Sequence, residues 1–336
     1  MAFSNNRRAA IKRLRLLVPS PRVEIAHFRE RLDAEYAVSV LPNRVDYRTC
    51  DYGGVPCDML SPEIYSSKRV VLYVHGGAFV GGSRVAYREF CSLLAHKSFS
   101  RVVVPEFRLM PEHPLPDAMD DIRSVFRTLY TEEQVACLLA AEPGAGGSDA
   151  WPEFIIAADG SGATIALSFV RSLDAKYRER ITRIVLLSPW LNFSPDSLAL
   201  SAKKKSDDVI STEMLKRCLG YTGWENDAGR AALSIVAATD RELRGFPAVY
   251  MQLGGKELLL PDAVQFAERL RQTGGTGTLE TVPDMPPLFQ FADDYLWEAH
   301  DAIDRLGAVV AGTDGTHRCV LIQNKPILEH SRWSEA

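Results

Sequence analysis

From residue 45 onward, short runs dense in Val, Ile and Leu alternate with longer stretches of helical periodicity, and this alternation constrains the fold more than any other feature. Residues 70–74, 101–104, 154–157, 184–187 and 249–253 contain few polar breaks, the pattern of strands buried on both faces. Between them, residues 117–130, 164–173, 261–272 and 293–306 carry helical spacing. Strand, helix, strand, helix implies an α/β fold with a mostly parallel sheet covered on both sides. A chain of 336 residues is long enough for one large domain of this kind with decorations, or for two modest ones.

Charge and hydropathy exclude several classes. Lys+Arg 39 against Asp+Glu 43 leaves a net charge of -4, so no overall basic field points to nucleic acid. The longest apolar runs fall far short of the ~20 residues a membrane span needs. Near the N-terminus Arg7, Arg8, Lys12, Arg13 and Arg15 precede only Leu16, Leu17 and Val18 before Pro19, too short an apolar core for a signal peptide. Residues 1–44 are expected to form one or two helices broken at Pro19 and Pro21, with the basic cluster a solvated face rather than a membrane contact. Six cysteines (50, 57, 91, 137, 218, 319) show neither CxxC nor Cys/His metal spacing, which points to free thiols in a reducing, cytoplasmic setting and to no metal.

Three stretches interrupt the rhythm. Residues 142–150 (EPGAGGSDA) read as a surface loop, since no phosphate-binding motif follows a strand there. Residues 193–245 include Lys203, Lys204 and Lys205 and read as a lid inserted between two strands. Beyond residue 312 a tail follows, whose residues 318–323 either add a strand or fold over the body.

The motif with most chemistry is His75-Gly76-Gly77-Ala78-Phe79, directly after the 70–74 run. Glycines there let the chain turn sharply and aim consecutive N–H groups into a cleft, as an oxyanion hole requires. It is followed by the segments FRLMPEHP (107–114), SPWLN (188–192) and DMPP (284–287). Taken in order, over about residues 45–311, these segments resemble the hormone-sensitive-lipase-like branch of the α/β-hydrolases. The resemblance implies an α/β-hydrolase fold: an eight-stranded, mostly parallel sheet flanked by helices, under a helical cap built from residues 1–44 and about 193–245. It implies serine carboxylesterase chemistry without a cofactor, and a homodimer through the last strand and helix.

Carried over residue by residue, the resemblance departs from the family at the reactive positions. The elbow reads Ala158-Asp159-Gly160-Ser161-Gly162-Ala163, placing Gly160 at the nucleophile position, and the small flanks Ala158 and Gly162 suit that register better than one centred on Ser161. Glu257 takes the acid position and Pro287 the histidine position; Phe107 and Asn192 stand where Tyr and Asp are common. Gly76, Gly77 and the N–H of Ser161 are the implied oxyanion donors. Removing a triad nucleophile or base costs on the order of 10⁶ in kcat. The expectation is therefore a catalytically degenerate pseudo-esterase that binds or senses a small acyl or carboxylate ligand, as the gibberellin receptors of the same family do. Two alternatives stay open: a weak or non-standard hydrolase using Glu257 with water or Ser161 with a tail histidine, and an interaction protein with a filled pocket. His75 is expected to orient the glycine loop, His113 to pack under a hydrogen bond and His300 to lie on the last helix. His317 and His330 fall in the tail, and Glu257 is expected to be either vestigial or paired with a nearby Lys or Arg.

Overall fold

The apolar runs pair into a single nine-stranded sheet of order β1-β2-β4-β3-β5-β6-β7-β8-β9, seen in a computed structural model that describes residues 2–37, 41–42, 44–66, 68–140, 151–194, 197–201, 207–223, 227–314 and 320–322. The strands are β1 (Val45–Tyr52), β2 (Val55–Pro62), β3 (Arg69–Val74), β4 (Arg101–Pro105), β5 (Glu153–Asp159), β6 (Ile181–Leu187), β7 (Ala248–Gly254), β8 (Gly277–Val282) and β9 (Val320–Ile322). Only β1–β2 and β2–β4 are antiparallel; every pairing from β4 through β9 is parallel. The expected eight-stranded sheet is present, and the tail extends it by the three residues of β9 alongside β8. Strands β3 through β7 bury nearly every residue, because helices cover both faces.

Twelve helices occur among the described residues: α1 (Ala2–Leu14), α2 (Ile25–Tyr36), α3 (Arg84–Ser98), α4 (Leu115–Ala140), α5 (Gly160–Ser172), α6 (Ala175–Arg178), α7 (Leu198–Ser201), α8 (Thr212–Tyr221), α9 (Asp227–Leu233), α10 (Asp240–Leu243), α11 (Leu260–Gln272) and α12 (Trp297–Ala311). Side-chain caps fix several starts: Ser83 accepts the N–H of Ala86 at α3, and Thr239 with Glu242 forms a capping box at α10. Helix α4 runs ten residues past its expected end, its apolar face continuing through Glu133 and Cys137. Helix α12 starts at Trp297 rather than residue 293, because Phe289–Ala292 forms a 3₁₀ turn first.

Helices α1 and α2 flank the Pro19–Pro21 break, while α7 to α10 lie between β6 and β7. The basic residues of α1 and of the turn after it are partly tied down: Arg7 donates to the Asp284 carbonyl, Arg15 to the Asp208 carbonyl, and Arg13 holds Glu35 and Glu89. Strand order reverses at β3, which lies between β4 and β5. In open α/β sheets the crevice outside the carboxyl ends of strands at such a switch is where ligands bind. No helix among the described residues is long and apolar enough to cross a membrane.

Candidate active site

At the carboxyl end of β3 the chain turns at once into the left-handed region, with φ of 103° at Gly77, 55° at Ala78 and 67° at Phe79. Gly77 is required there, since a Cβ would sit 2.2 Å from the Gly81 carbonyl oxygen. Two hydrogen bonds from the next strand–helix junction hold this loop: Gly76 N–H to Asp159 Oδ1 at 2.9 Å, and Phe79 N–H to Ser161 Oγ at 3.0 Å. Behind it, buried His75 stacks on Phe107 with centroids 4.2 Å apart, and its Nδ1 lies 3.0 Å from the Gly76 carbonyl oxygen. Burial pushes this imidazole down to about 4, so it is neutral at pH 7.

The β5–α5 junction is equally tight. Gly162 lies against the end of β3, where a Cβ would come 2.2 Å from the Val74 carbonyl oxygen. Gly160 has φ of 47°, yet the space above it is open: the nearest atom to an added Cβ is the Gly76 Cα at 4.0 Å. Asp159, fully buried, accepts from Tyr73 and Tyr87 hydroxyls at 3.1 and 2.9 Å as well as from Gly76. Burial pushes its carboxyl up to about 7 although these three donors oppose the shift.

Across the crevice, Glu257 is buried and accepts the Ser188 hydroxyl at 2.7 Å and the Gly254 N–H. Ser188 in turn accepts the Leu288 N–H at 2.9 Å. Burial raises the Glu257 carboxyl well above the usual carboxylate range. Among the described residues Glu257 has no Lys or Arg partner, so of the two expectations for it the salt bridge is not seen; neighbouring Lys256 pairs with Asp284. Pro287 is buried in the turn between Asp284 and Leu288. Five of the seven non-glycine residues with positive φ among the described residues (Ala78, Phe79, Ser188, Asp284 and Leu288) belong to the loops that meet here. Strain of this kind, of order 1–3 kcal/mol per residue, persists only where the surroundings over-determine it, and it clusters at functional sites.

These loops enclose a narrow crevice of about 30 Å³ over Gly160 and Ser161. Its walls are apolar: Leu17 and Val18 come from the segment after α1, Met214 from α8, and Trp190, Leu259 and Leu288 from the core loops. Among the described residues no cationic side chain lines it. His113 is exposed and faces Asp117 at 3.6 Å, so it is not the packing residue expected, and His300 is part-exposed on α12 against Asp293. His317, His330, Lys203, Lys204, Lys205 and the 142–150 loop lie outside the described residues. Sequence reading missed Ser188, Tyr73 and Tyr87. Nothing local marks them, because their partners lie on elements up to 100 residues away.

Residues 71–291 match the family described as the alpha/beta hydrolase fold, well over half of the chain. An esterase of Acinetobacter venetianus is 26% identical over 249 residues, covering 74% of this chain and 77% of its own. An acetyl-hydrolase of Streptomyces hygroscopicus is 26% identical, covering 74% and 77%. The crystal structure of an esterase from the bacterial hormone-sensitive lipase family superposes with a TM-score of 0.77 at 25% identity, covering 94% of this chain and all of that one. Each of these relatives is named for hydrolysis, which overturns the expectation of a degenerate pseudo-esterase that binds or senses a ligand. In serine hydrolases an oxyanion hole and substrate binding retain some acceleration when the triad is lost, so loss of triad residues does not by itself remove hydrolysis. By its sequence match and its fold, the chain belongs to the α/β-hydrolase fold family.

Proposed function

We propose that this protein is a weak, non-standard carboxylesterase acting on small neutral acyl esters. The observation that carries this reading is the strained 76–79 loop, locked against Gly160 and Ser161 by the Asp159 and Ser161 hydrogen bonds at the floor of an apolar crevice. In this reading the N–H groups of Gly77 and Ser161 receive the developing oxyanion; the Gly76 N–H, implied as a third donor, is taken by Asp159. Gly160 stands at the nucleophile position and leaves room for the attacking water, Pro287 supplies no imidazole, and Glu257 is the retained acid. The water adds to the ester carbonyl and gives a proton to solvent; the tetrahedral oxyanion collapses to the carboxylic acid with cleavage of the C–O bond, and the alcohol leaves with a proton from solvent. An oxyanion hole and binding without a working triad retain roughly 10³–10⁴-fold acceleration over water, which sets the rate expected here. The described residues of the wall carry no cation, which favours a neutral ester over a carboxylate-bearing ligand.

Residues 1–44 and about 193–245 act as the cap over a core of 45–311, since Leu17 and Val18 of the first and Met214 of the second meet across the crevice. Cys50, Cys57, Cys91, Cys137 and Cys218 are unpaired, which supports a reducing, cytoplasmic setting. The test is hydrolysis of p-nitrophenyl acetate and butyrate against the buffer rate. Acceleration of ~10³-fold or more that saturates with substrate supports the reading, and a rate equal to buffer overturns it.

A further inference from the structure

Most arginines near the cap hold a carboxylate: Arg13 takes Glu35 and Glu89, Arg29 takes Glu112, and Arg84 and Arg88 share Asp58. Arg8, Lys12 and Arg31 do not. Among the described residues none of the three makes a hydrogen bond or ion pair, and the Nε of Arg31 is buried without a partner. All three line one open groove of about 680 Å³ between α1, α2 and the segment around Asp208. Arg8 and Lys12 fall at i and i+4 on one face of α1, Arg15 follows directly after its end, and Arg31 reaches the groove from α2. Of the two acidic residues present, Glu35 is already engaged by Arg13, which leaves Asp208 against four cations. A buried, unpaired guanidinium N–H among unopposed cations calls for an anion.

We propose that this groove binds the phosphate headgroup of an anionic lipid and so docks the cap on a membrane surface. The groove also carries Ile11 and Leu16, both part-exposed, an apolar contact that suits the glycerol and first acyl carbons of a lipid better than inorganic phosphate. It adjoins the crevice through shared segments. Helix α1 leads directly into Leu17 and Val18, and Ile210 of the crevice lies two residues beyond Asp208. An ester dissolved in the same membrane would therefore be presented beside the crevice mouth. The docking does not depend on how the crevice performs hydrolysis, because its readout is binding.

The test is co-sedimentation of the full chain with phosphatidylcholine vesicles, with and without phosphatidylglycerol, at low and high salt. Salt-sensitive binding confined to the anionic vesicles is expected. It should weaken ~100-fold in Arg8→Gln/Lys12→Gln/Arg31→Gln, and ~5-fold in Lys12→Gln alone, at about one tightly screened contact per cation. The single variant changes an exposed residue and decides the matter if the triple variant does not fold. No binding to anionic vesicles, or equal binding by wild type and Lys12→Gln, overturns the proposal. Complete displacement from the vesicles by millimolar inorganic phosphate at constant ionic strength also overturns it, in favour of a free-phosphate site; binding that persists supports the lipid.

Discussion

Ser161 Oγ accepts the N–H of Phe79 at 3.0 Å, so the residue that follows the elbow glycine anchors the loop lying over it. Both Ala78 and Phe79 sit at positive φ, and this bond helps hold them there together with the Gly76 N–H to Asp159 and the Met110 N–H to the Phe79 carbonyl. Ser161→Ala leaves a buried N–H without an acceptor, a loss of ~1–3 kcal/mol. The expected result is a fall of ~10-fold or more in kcat/KM for p-nitrophenyl butyrate, with measurable activity remaining. Mass spectrometry after treatment with a fluorophosphonate should find no adduct on Ser161. A stoichiometric adduct would make Ser161 the nucleophile and sink the positioning role.

The parallel core was legible because a strand buried on both faces must be apolar throughout, and five such runs stand out in this sequence. The elbow was legible for a related reason: Gly162 must be small where it meets the β3 carbonyls, and a local pattern records that demand. The hydrogen-bonded chain from Glu257 through Ser188 to Leu288 was not legible. A buried carboxylate can be satisfied by an ion pair or by hydroxyl and amide donors, and composition near residue 257 favours neither. Only the return of the 284–288 turn to the end of β6 decides it. Helix α12 was misplaced at both ends: it runs to Ala311, five residues past the expected 306, and its start is delayed by a 3₁₀ turn whose residues are as apolar as a helix face.

Gly160→Ser places a side chain at φ 47°, where a non-glycine residue costs of order 1–2 kcal/mol. No steric term adds to this, because the nearest heavy atom to the new Cβ lies 4.0 Å away. Thermal unfolding should show Tm lowered by a few degrees, at ~2–4 °C per kcal/mol for a large domain. Equal or higher Tm would mean that the junction is not strained.

Gly160→Ser alone should add little hydrolysis, since a serine hydroxyl without an adjacent base is a poor nucleophile. Adding Pro287→His introduces an imidazole into the turn next to Leu288, which lines the crevice with Gly160. The double variant is expected to exceed wild type by ~10-fold or more on a short-chain ester and to show an acyl-enzyme burst. Activity no higher than that of Gly160→Ser would show that residue 287 does not face the elbow.

Ser188→Ala breaks two buried contacts at once. The Leu288 N–H loses its acceptor, and Glu257 keeps only the Gly254 N–H. Leu288 sits at φ 58° and forms part of the crevice wall, so the loss should appear both as ~2–4 kcal/mol in chemical denaturation and as a higher KM. A stability loss with KM unchanged would separate this bonded chain from the crevice.

His75 and Asp159 give stability opposite dependences on pH. The imidazole falls from 6.5 to about 4 on folding, so between those values the unfolded chain carries a proton the folded one lacks, and stability declines as pH falls from 6.5. The carboxyl rises from 3.8 to about 7, so within that window the folded chain carries the extra proton, and stability increases as pH falls from 7. Each limiting slope is about 1.4 kcal/mol per pH unit. In wild type the two nearly offset each other between pH 6.5 and 4, because folding moves a proton's preferred place from one group to the other. Denaturation of each variant beside wild type between pH 5 and 7 exposes the separate slopes. Relative to wild type, Asp159→Asn should lose stability as pH falls, while His75→Gln should gain it. Parallel trends in the two variants would mean that these buried groups do not titrate in this range, and that Asp159 holds the Gly76 N–H with the same charge throughout.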